Sequence, residues 1–555
     1  MIDDRAPVNE IVRSWAESEP ERLSIAVHGA DGEVEQLTCR ELAARAASMA
    51  HRFEALGLRP GDPIVLLAHS SSAFIASFLG AQEAGLLPVP CPPPDPLEGG
   101  RRVRERIREI IARTGARAIV LADTPLDAEA TAALVAAGVS LVGETPRPLP
   151  DAAMRSRTMR RHPDGLAYCQ FTSGSGGRAK GVLLDHANLA ANIRSMAAGL
   201  SLTRQDVFVT WLPLFHDMGL VAYVLMPLAL GCPAHILPTA VFIKRPASWL
   251  QLMSRAGGTL CAAPNFAYAL CARRVSDDEC VGLDLSRWRI ASNGSEPVTS
   301  SAVTAFVDRF AACGFRAGAM LPCYGLAEAT LCVTTRRPGE GAWFETLSQE
   351  QLVRDLAKPE SSGSTVASAG RPLPDVEIAV RDSGGRPLPD RHVGEIVVRS
   401  PSVMRGYLAS AESEGLSIAD GWLATGDLGY TVEDELFVVG RKKDLIIRMG
   451  RNYYPAELED AATTVPGVRA GRAVAFSVSA ADSERVIIAV ERASEDRAAD
   501  EAVRTAVRSA VFSKVRFPPD EVVLLPRGAL PLTTSGKVMR PEARRLYETG
   551  AWAEP

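Results

Sequence analysis

Up to about residue 370 this sequence alternates short apolar runs with helical stretches; beyond it the runs turn β-rich and close-set. Residues 42–56 carry helical periodicity, while 63–67 (PIVLL) and 118–122 (AIVLA) are short apolar runs. Such alternation predicts an α/β architecture with largely parallel sheets. The proline-rich tract 88–96 (PVPCPPPDP) reads as a loop. After Gly370, segments 376–380 (VEIAV), 395–398 (EIVV) and 435–439 (ELFVV) are separated by Gly and Pro, which predicts a smaller, more antiparallel unit. A new α/β series follows 440–444 (GRKKD), so a boundary is placed near Lys443, dividing the chain into 1–442 and 443–555. At 555 residues the chain is too long for one ordinary core. A short polar linker at the boundary permits domain motion.

The net charge of -5 gives no bulk electrostatic reason to bind nucleic acid or an acidic membrane. The basic segment 101–113 (RRVRERIREIIAR) places Val103, Ile107, Ile110 and Ile111 on one face, as in an amphipathic surface helix. Ten cysteines without a C-x-x-C pair fit neither a disulfide framework nor a zinc site and suit a reducing cytosol. The N-terminus lacks the apolar core of a secretory signal, and no apolar run is long enough to cross a bilayer. The apolar stretch 221–230 contains Pro227 and reads as buried core. A cytoplasmic location without stable membrane association is expected.

Six segments carry candidate chemistry. Residues 172–181 (TSGSGGRAKG) combine hydroxyls, glycines and Lys180, which suits phosphate oxygens approached by backbone N–H groups. The nucleotide-hydrolase P-loop fails here, because Ala179 precedes the lysine and Gly181 follows it; a flexible surface loop is the alternative. In 211–220 (WLPLFHDMGL), His216 faces a cleft or is an ordinary satisfied histidine. Residues 291–298 (ASNGSEPV) form the third segment and 323–331 (CYGLAEATL) the fourth. There Tyr324 offers a face for a purine and Glu328 a carboxylate for magnesium, against core packing and a solvated helix position as alternatives. Asp427 in 425–428 (TGDL) can accept two ribose hydroxyls, and Arg441 in 440–444 can bridge phosphate or ribose oxygens. Lys537 stands in a turn-rich segment, 532–540 (LTTSGKVMR), where an exposed lysine is the alternative.

Taken in this order the six segments resemble the adenylate-forming superfamily of acyl-CoA synthetases, luciferases and nonribosomal adenylation domains, over nearly the whole chain. Four stretches narrow the resemblance to fatty acyl-AMP ligases: 211–220, 263–271 (APNFAYALC), 282–298 (GLDLSRWRIASNGSEPV) and 450–455 (GRNYYP). Residues 342–358 (AWFETLSQEQLVRDLAK) are consistent with the extra segment those enzymes carry. The resemblance implies a large N-terminal domain of two α/β subdomains plus a small β-rich subdomain, and a small mobile α+β C-terminal domain. It implies that Thr172, Ser173, Gly174, Ser175 and Lys180 lie along the phosphates of ATP. Ser295, Glu296 and Pro297 would line the adenine side, with Tyr324 stacked on the ring beside Gly325. Glu328, with Thr172, would hold Mg2+; Asp427 and Arg441 would take the ribose. His216 would stand at the mouth of the acyl pocket, Lys537 would reach the α-phosphate, and Lys443 would be the hinge. The family's phosphate loop usually reads T-S-G-S-T-x-x-P-K-G; here Gly176 and Ala179 replace a threonine and the proline, which removes one hydroxyl contact.

The implied reaction joins a fatty acid to AMP, releases pyrophosphate, and passes the acyl group to the phosphopantetheine thiol of an acyl carrier protein. The chain ends soon after Lys537, so the carrier is expected to be a separate protein. Tyr453 and Tyr454 stand where CoA ligases carry slimmer residues, which favours a carrier over CoA. An acyl-CoA ligase, an inactive nucleotide- or acyl-binding homologue and a stand-alone nonribosomal adenylation domain are the alternatives.

Overall fold

The computed structural model describes residues 6–29, 32–94, 100–122, 124, 126, 128–143, 150, 157–172, 180–408, 417–448, 451–480, 483–494, 497–532 and 538–552. Its largest sheet has nine strands. Six of them run parallel, in the order Met320–Gly325, Ile290–Asn293, Leu260–Ala263, Phe208–Thr210, Ala234–Ile236 and Leu23–His28. Antiparallel strands close both edges: Val34–Thr38 on one side, Cys332–Thr335 and Arg371–Pro372 on the other. A four-stranded parallel sheet holds Leu87–Pro90, Pro63–Leu66, Ala118–Val120 and Ser140–Val142. The expected parallel α/β character therefore holds in two sheets, with antiparallel strands only at the rims of the larger.

Local chemistry explains the helices between them. Helix Cys39–Ala55 starts at a capping box, in which the Thr38 hydroxyl accepts from the Glu41 amide while the Glu41 carboxylate accepts from the Thr38 amide. Its inner face, including Leu42, Ala46, Met49, Ala50 and Phe53, is buried against helix Ser72–Glu83. The crossing is close because Gly80 sits at it: a Cβ there would lie 2.6 Å from the Ala46 carbonyl oxygen. The basic segment forms helix Gly100–Thr114 with Val103 and Ile107 buried, as its periodicity predicts. Residues Val221–Leu225 form a π-helical turn running into helix Met226–Leu230, and most of this apolar stretch is buried. Among the described residues no helix is long and apolar enough to cross a membrane.

Beyond residue 370 the antiparallel unit pairs Glu377–Arg381, Gly394–Arg399, Trp422–Val432 and Glu435–Arg441, with Ile418–Ala419 at one edge. The tract ahead of it forms its own small sheet, Phe344–Leu347 with Ser364–Ala367, and the short helix Gln349–Leu352. The C-terminal part packs Pro455–Thr463 and Asp500–Val515 on the three-stranded sheet Val468–Ala480, Ser483–Arg492 and Glu521–Leu525. Its apolar residues, among them Ile446, Leu458, Val486, Ile488 and Val511, make a core largely their own.

The tract and the C-terminal part are stitched by polar contacts. The buried Glu457 carboxylate accepts from Gln349 Nε2 at 2.8 Å and from the Ser364 hydroxyl. Lys514 Nζ donates to the Gly363 carbonyl at 2.7 Å, and Asn452 Nδ2 to Asp355 Oδ1 at 3.4 Å. Tyr453 packs edge-on to Phe517, with centroids 4.6 Å apart, and Tyr454 is buried in a cluster with Leu347, Leu352 and Tyr430. In this arrangement both tyrosines are core residues, Tyr453 in the C-terminal core and Tyr454 in the seam with the tract.

One histidine pair links sequence to acid stability. His28 Nε2 and His235 Nδ1 lie 3.1 Å apart on adjacent parallel strands. Burial first, then the neighbouring His235 and Arg255, bring the His28 pKa down from 6.5 to about 4. Between those values the unfolded chain takes up a proton that the folded chain refuses, so stability present above 6.5 is lost as pH falls towards about 4. A thermal-unfolding series should show this acid limb, and His28→Gln, which keeps a polar partner for His235 without titrating, should make it shallower, with the remainder left to His186, which burial also brings down to about 4.

Candidate active site

The strand pair Leu166–Thr172 and Lys180–Asp185 brings Thr172 opposite Lys180, so both ends of the glycine-rich segment meet. Ser173, Gly174 and Ser175, with Gly176 and Ala179, lie outside the described residues. Lys180 Nζ stands 5.4 Å from the centroid of the Tyr407 ring. Gly181 is needed here, since a Cβ would lie 2.8 Å from Cys169 Sγ.

Strand Met320–Gly325 carries Tyr324 to its C-terminal end, where ligands bind in open α/β sheets. Tyr324 Oη donates to Asp427 Oδ2 at 2.8 Å, and Arg441 Nε donates to Asp427 Oδ1 at 3.0 Å. Asp427 and Arg441 are cross-strand partners in the antiparallel unit, which explains their meeting. Burial pushes the Asp427 carboxyl above the usual range, while Arg441 and the Tyr324 hydroxyl pull it back. Each carboxylate oxygen keeps a lone pair beyond these bonds, so two neighbouring hydroxyls could be accepted without breaking either. Gly325 is obligatory in the chain crossing: a Cβ would lie 1.8 Å from the Leu331 carbonyl oxygen.

Glu328 occupies the 3-10 turn Ala327–Ala329 and accepts from Tyr407 Oη at 2.9 Å. Burial raises its pKa, and Asp217 adds to that, against Arg441. Thr330, fully buried, adopts φ 72° and ψ -58°, a strained setting for a β-branched residue. Its hydroxyl is anchored on the Ser402 carbonyl at 2.7 Å, and the Glu328 carbonyl accepts from the Met404 amide at 2.9 Å.

Ser295, Glu296 and Pro297 follow strand Ile290–Asn293, next to the strand bearing Tyr324. Ser295 and Pro297 are exposed, and Ser295 holds φ 74°. The Glu296 carboxylate accepts from the Phe266 amide at 2.6 Å, at the N-terminus of helix Asn265–Arg274. Arg472 of the C-terminal part lies within electrostatic reach of Glu296. His216 caps helix Asp217–Leu220, with Nδ1 accepting from the Met218 amide at 3.3 Å, and its ring is half-buried. Gln170 Nε2 donates to the Phe215 carbonyl at 2.9 Å, tying this turn to the strand that leads into the glycine-rich segment.

Lys443 lies in the turn Lys442–Asp444; burial first, then Arg441 and also Lys180, lower its pKa. Arg540 grips that turn through Asp444 and helix Pro455–Thr463 through Glu459, each at 2.7 Å. Lys537 lies outside the described residues, between Leu532 and Val538, which bridge. No group of three or more His, Cys, Asp or Glu that could hold a metal occurs among the described residues. Magnesium does not require one, since it is commonly bound by one or two carboxylates with substrate phosphates and water; the half-buried Glu328 fits that role. Sequence reasoning missed Tyr407 and Arg472. The first sits in an unremarked Gly-Tyr pair, and the second is one arginine among many.

Comparison with known proteins identifies the family. The pattern of AMP-binding enzymes matches residues 12–408, and the chain belongs to that family of ATP-dependent, adenylate-forming ligases. Within it the likeness runs to the fatty acyl-AMP ligases. The chain is 37% identical over 534 residues to a putative acyl-CoA synthetase of Caulobacter vibrioides, covering 94% of this chain and 92% of the relative. It is 34% identical to the medium-chain-fatty-acid--[acyl-carrier-protein] ligase JamA of Moorena producens, covering 97% and 94%. It is also 34% identical to the long-chain-fatty-acid--AMP ligase FadD23 of Mycobacterium tuberculosis, covering 88% and 86%. A solved structure from work on fatty acyl-adenylate ligases of E. coli and L. pneumophila superposes with TM-score 0.87 at 32% identity, covering 98% of both chains.

Proposed function

We propose that this chain activates a fatty acid with ATP, forming acyl-AMP and pyrophosphate, and then delivers the acyl group to the phosphopantetheine thiol of a separate acyl carrier protein. The observation that carries the reading is the corner where Tyr324, Asp427 and Arg441 join, with Glu328 held beside them by Tyr407. A carboxylate oxygen attacks the α-phosphorus of ATP, and the bond to the pyrophosphate oxygen breaks. The protein's work is to align two anions and neutralise charge on the phosphoryl oxygens. Lys180 and Lys537 supply that charge, with Thr172, Ser173, Gly174 and Ser175 along the phosphates. Tyr324 stacks on adenine next to Gly325, Ser295, Glu296 and Pro297, and Asp427 with Arg441 takes the ribose. Glu328, with Thr172, would hold Mg2+, which when bound offsets phosphate charge. His216 marks the entry of the acyl chain, and the apolar Phe215, Met218 and Phe266 suit a fatty chain.

The domains divide at Lys443, into 1–442 and 443–555, and turning about it would withdraw Lys537 and admit the thiol. The carrier as acceptor is supported by the likeness to JamA and to the fatty-acid--AMP ligases. Transfer to CoA is the second reading, favoured by the name of the Caulobacter relative. The ten free thiols suit reducing cytoplasm.

The test is incubation with ATP, Mg2+ and fatty acids of graded length, followed by CoA or a phosphopantetheinylated carrier, with products read by mass spectrometry. Acyl-AMP with thioester on the carrier alone is expected. Abundant acyl-CoA would make the chain a CoA ligase. ATP binding without pyrophosphate release for any acid would make it an inactive homologue.

A further inference from the structure

Two groups assigned above to different ligands, Lys180 to phosphate and Glu328 to metal, meet on one side chain. The short strand Gly406–Tyr407 pairs with the strand that begins at Lys180, Tyr407 opposite Val182 and Gly406 opposite Leu183. Backbone bonds continue the pairing on either side, Arg405 N to the Leu183 carbonyl at 2.9 Å and Leu408 N to the Gly181 carbonyl at 2.7 Å. The Tyr407 ring is thereby held at a fixed height over the root of the glycine-rich segment. Lys180 Nζ stands 5.4 Å from its centroid, within cation–π range. Its hydroxyl donates to Glu328 Oε1 at 2.9 Å.

The same segment also fixes the backbone on the Glu328 side. Met404 N donates to the Glu328 carbonyl, and the Ser402 carbonyl accepts from the Thr330 hydroxyl. The strained Thr330 backbone is thus pinned two residues after the carboxylate, where relaxation would turn Glu328 away. A half-buried carboxylate with a free torsion would sample several rotamers; a hydroxyl of fixed position selects one.

We infer that Tyr407 is a positioning residue for adenylation, setting the Glu328 carboxylate through its hydroxyl and the Lys180 ammonium through its ring. The inference rests on the adenylate-forming reading and adds a residue to it. Tyr407→Phe removes the hydroxyl and keeps the ring. It should weaken Mn2+ binding in the presence of ATP, read by electron paramagnetic resonance, about tenfold. The Mg2+ concentration for half-maximal pyrophosphate release should rise by a similar factor, with the ATP KM at saturating Mg2+ unchanged. Tyr407→Leu should raise the ATP KM as well, because the ring facing Lys180 is gone.

In a Glu328→Gln background the Phe substitution should cost nothing further, since the acceptor it served has lost its charge. An equal loss of Mn2+ binding in both backgrounds, or wild-type metal dependence in Tyr407→Phe, overturns the inference while leaving the adenylation reading in place. Wild-type protein that neither binds Mn2+ with ATP nor releases pyrophosphate overturns that reading, and this inference with it.

Discussion

Replacing Asp427 with Ala is expected to lower kcat/KM for ATP by about 10³-fold in a pyrophosphate-release assay. The carboxylate already accepts one bond on each oxygen, from Tyr324 and from Arg441. Hydrogen bonds involving a charged group contribute about 1.5–3 kcal/mol each, so losing two to the ribose costs roughly two to four decades. The substitution also leaves a buried tyrosine hydroxyl and a guanidinium without their acceptor, so the melting temperature should fall too. Asp427→Asn keeps shape and one acceptor oxygen, and should fall between wild type and Ala. An Ala variant with near-wild-type kinetics in ATP would remove the nucleotide from this corner.

Lys537→Ala is expected to divide the two half-reactions. Its ammonium would face the α-phosphate only while the acid is being adenylated, and one lost donor to developing charge costs about 10²–10³-fold. Acyl-AMP formation should fall by that much, whereas transfer from preformed acyl-AMP to the carrier should change by no more than a few-fold. Rapid-quench measurement of each half-reaction decides it, and equal losses would mean that Lys537 serves both steps or neither.

Much of the fold was legible because periodicity is a local property. The PIVLL and AIVLA runs became parallel strands Pro63–Leu66 and Ala118–Val120, and the basic segment became a surface helix. The meeting of Asp427 with Arg441 was half legible, since two β-rich runs with a short turn between them make a hairpin. Its third member was not: Tyr324 reaches Asp427 across 103 positions of sequence, a contact that only the packing of one sheet against another creates. Glu296 shows what a motif leaves unsaid at the level of atoms. It follows the expected strand, and its carboxylate accepts from the Phe266 amide at a helix N-terminus, a contact 30 positions away in sequence that the motif itself does not announce. Tyr453 and Tyr454 read as bulk across a thiol's path; both rings are buried, Tyr453 in the C-terminal core against Phe517 and Tyr454 in the cluster with Leu347 and Leu352. Tyr407 had no signature, because a positioning residue carries neither charge nor a motif of its own.

The buried Glu457 has a consequence for tempo. A C-terminal part that turns about Lys443 would have to draw this carboxylate away from Gln349 and Ser364, hydrate it, and bury it again in every catalytic round. Such a step is indifferent to how much ATP or acid is present. It would act as a metronome for the enzyme, with the beat set by the release of one carboxylate some distance from the phosphorus.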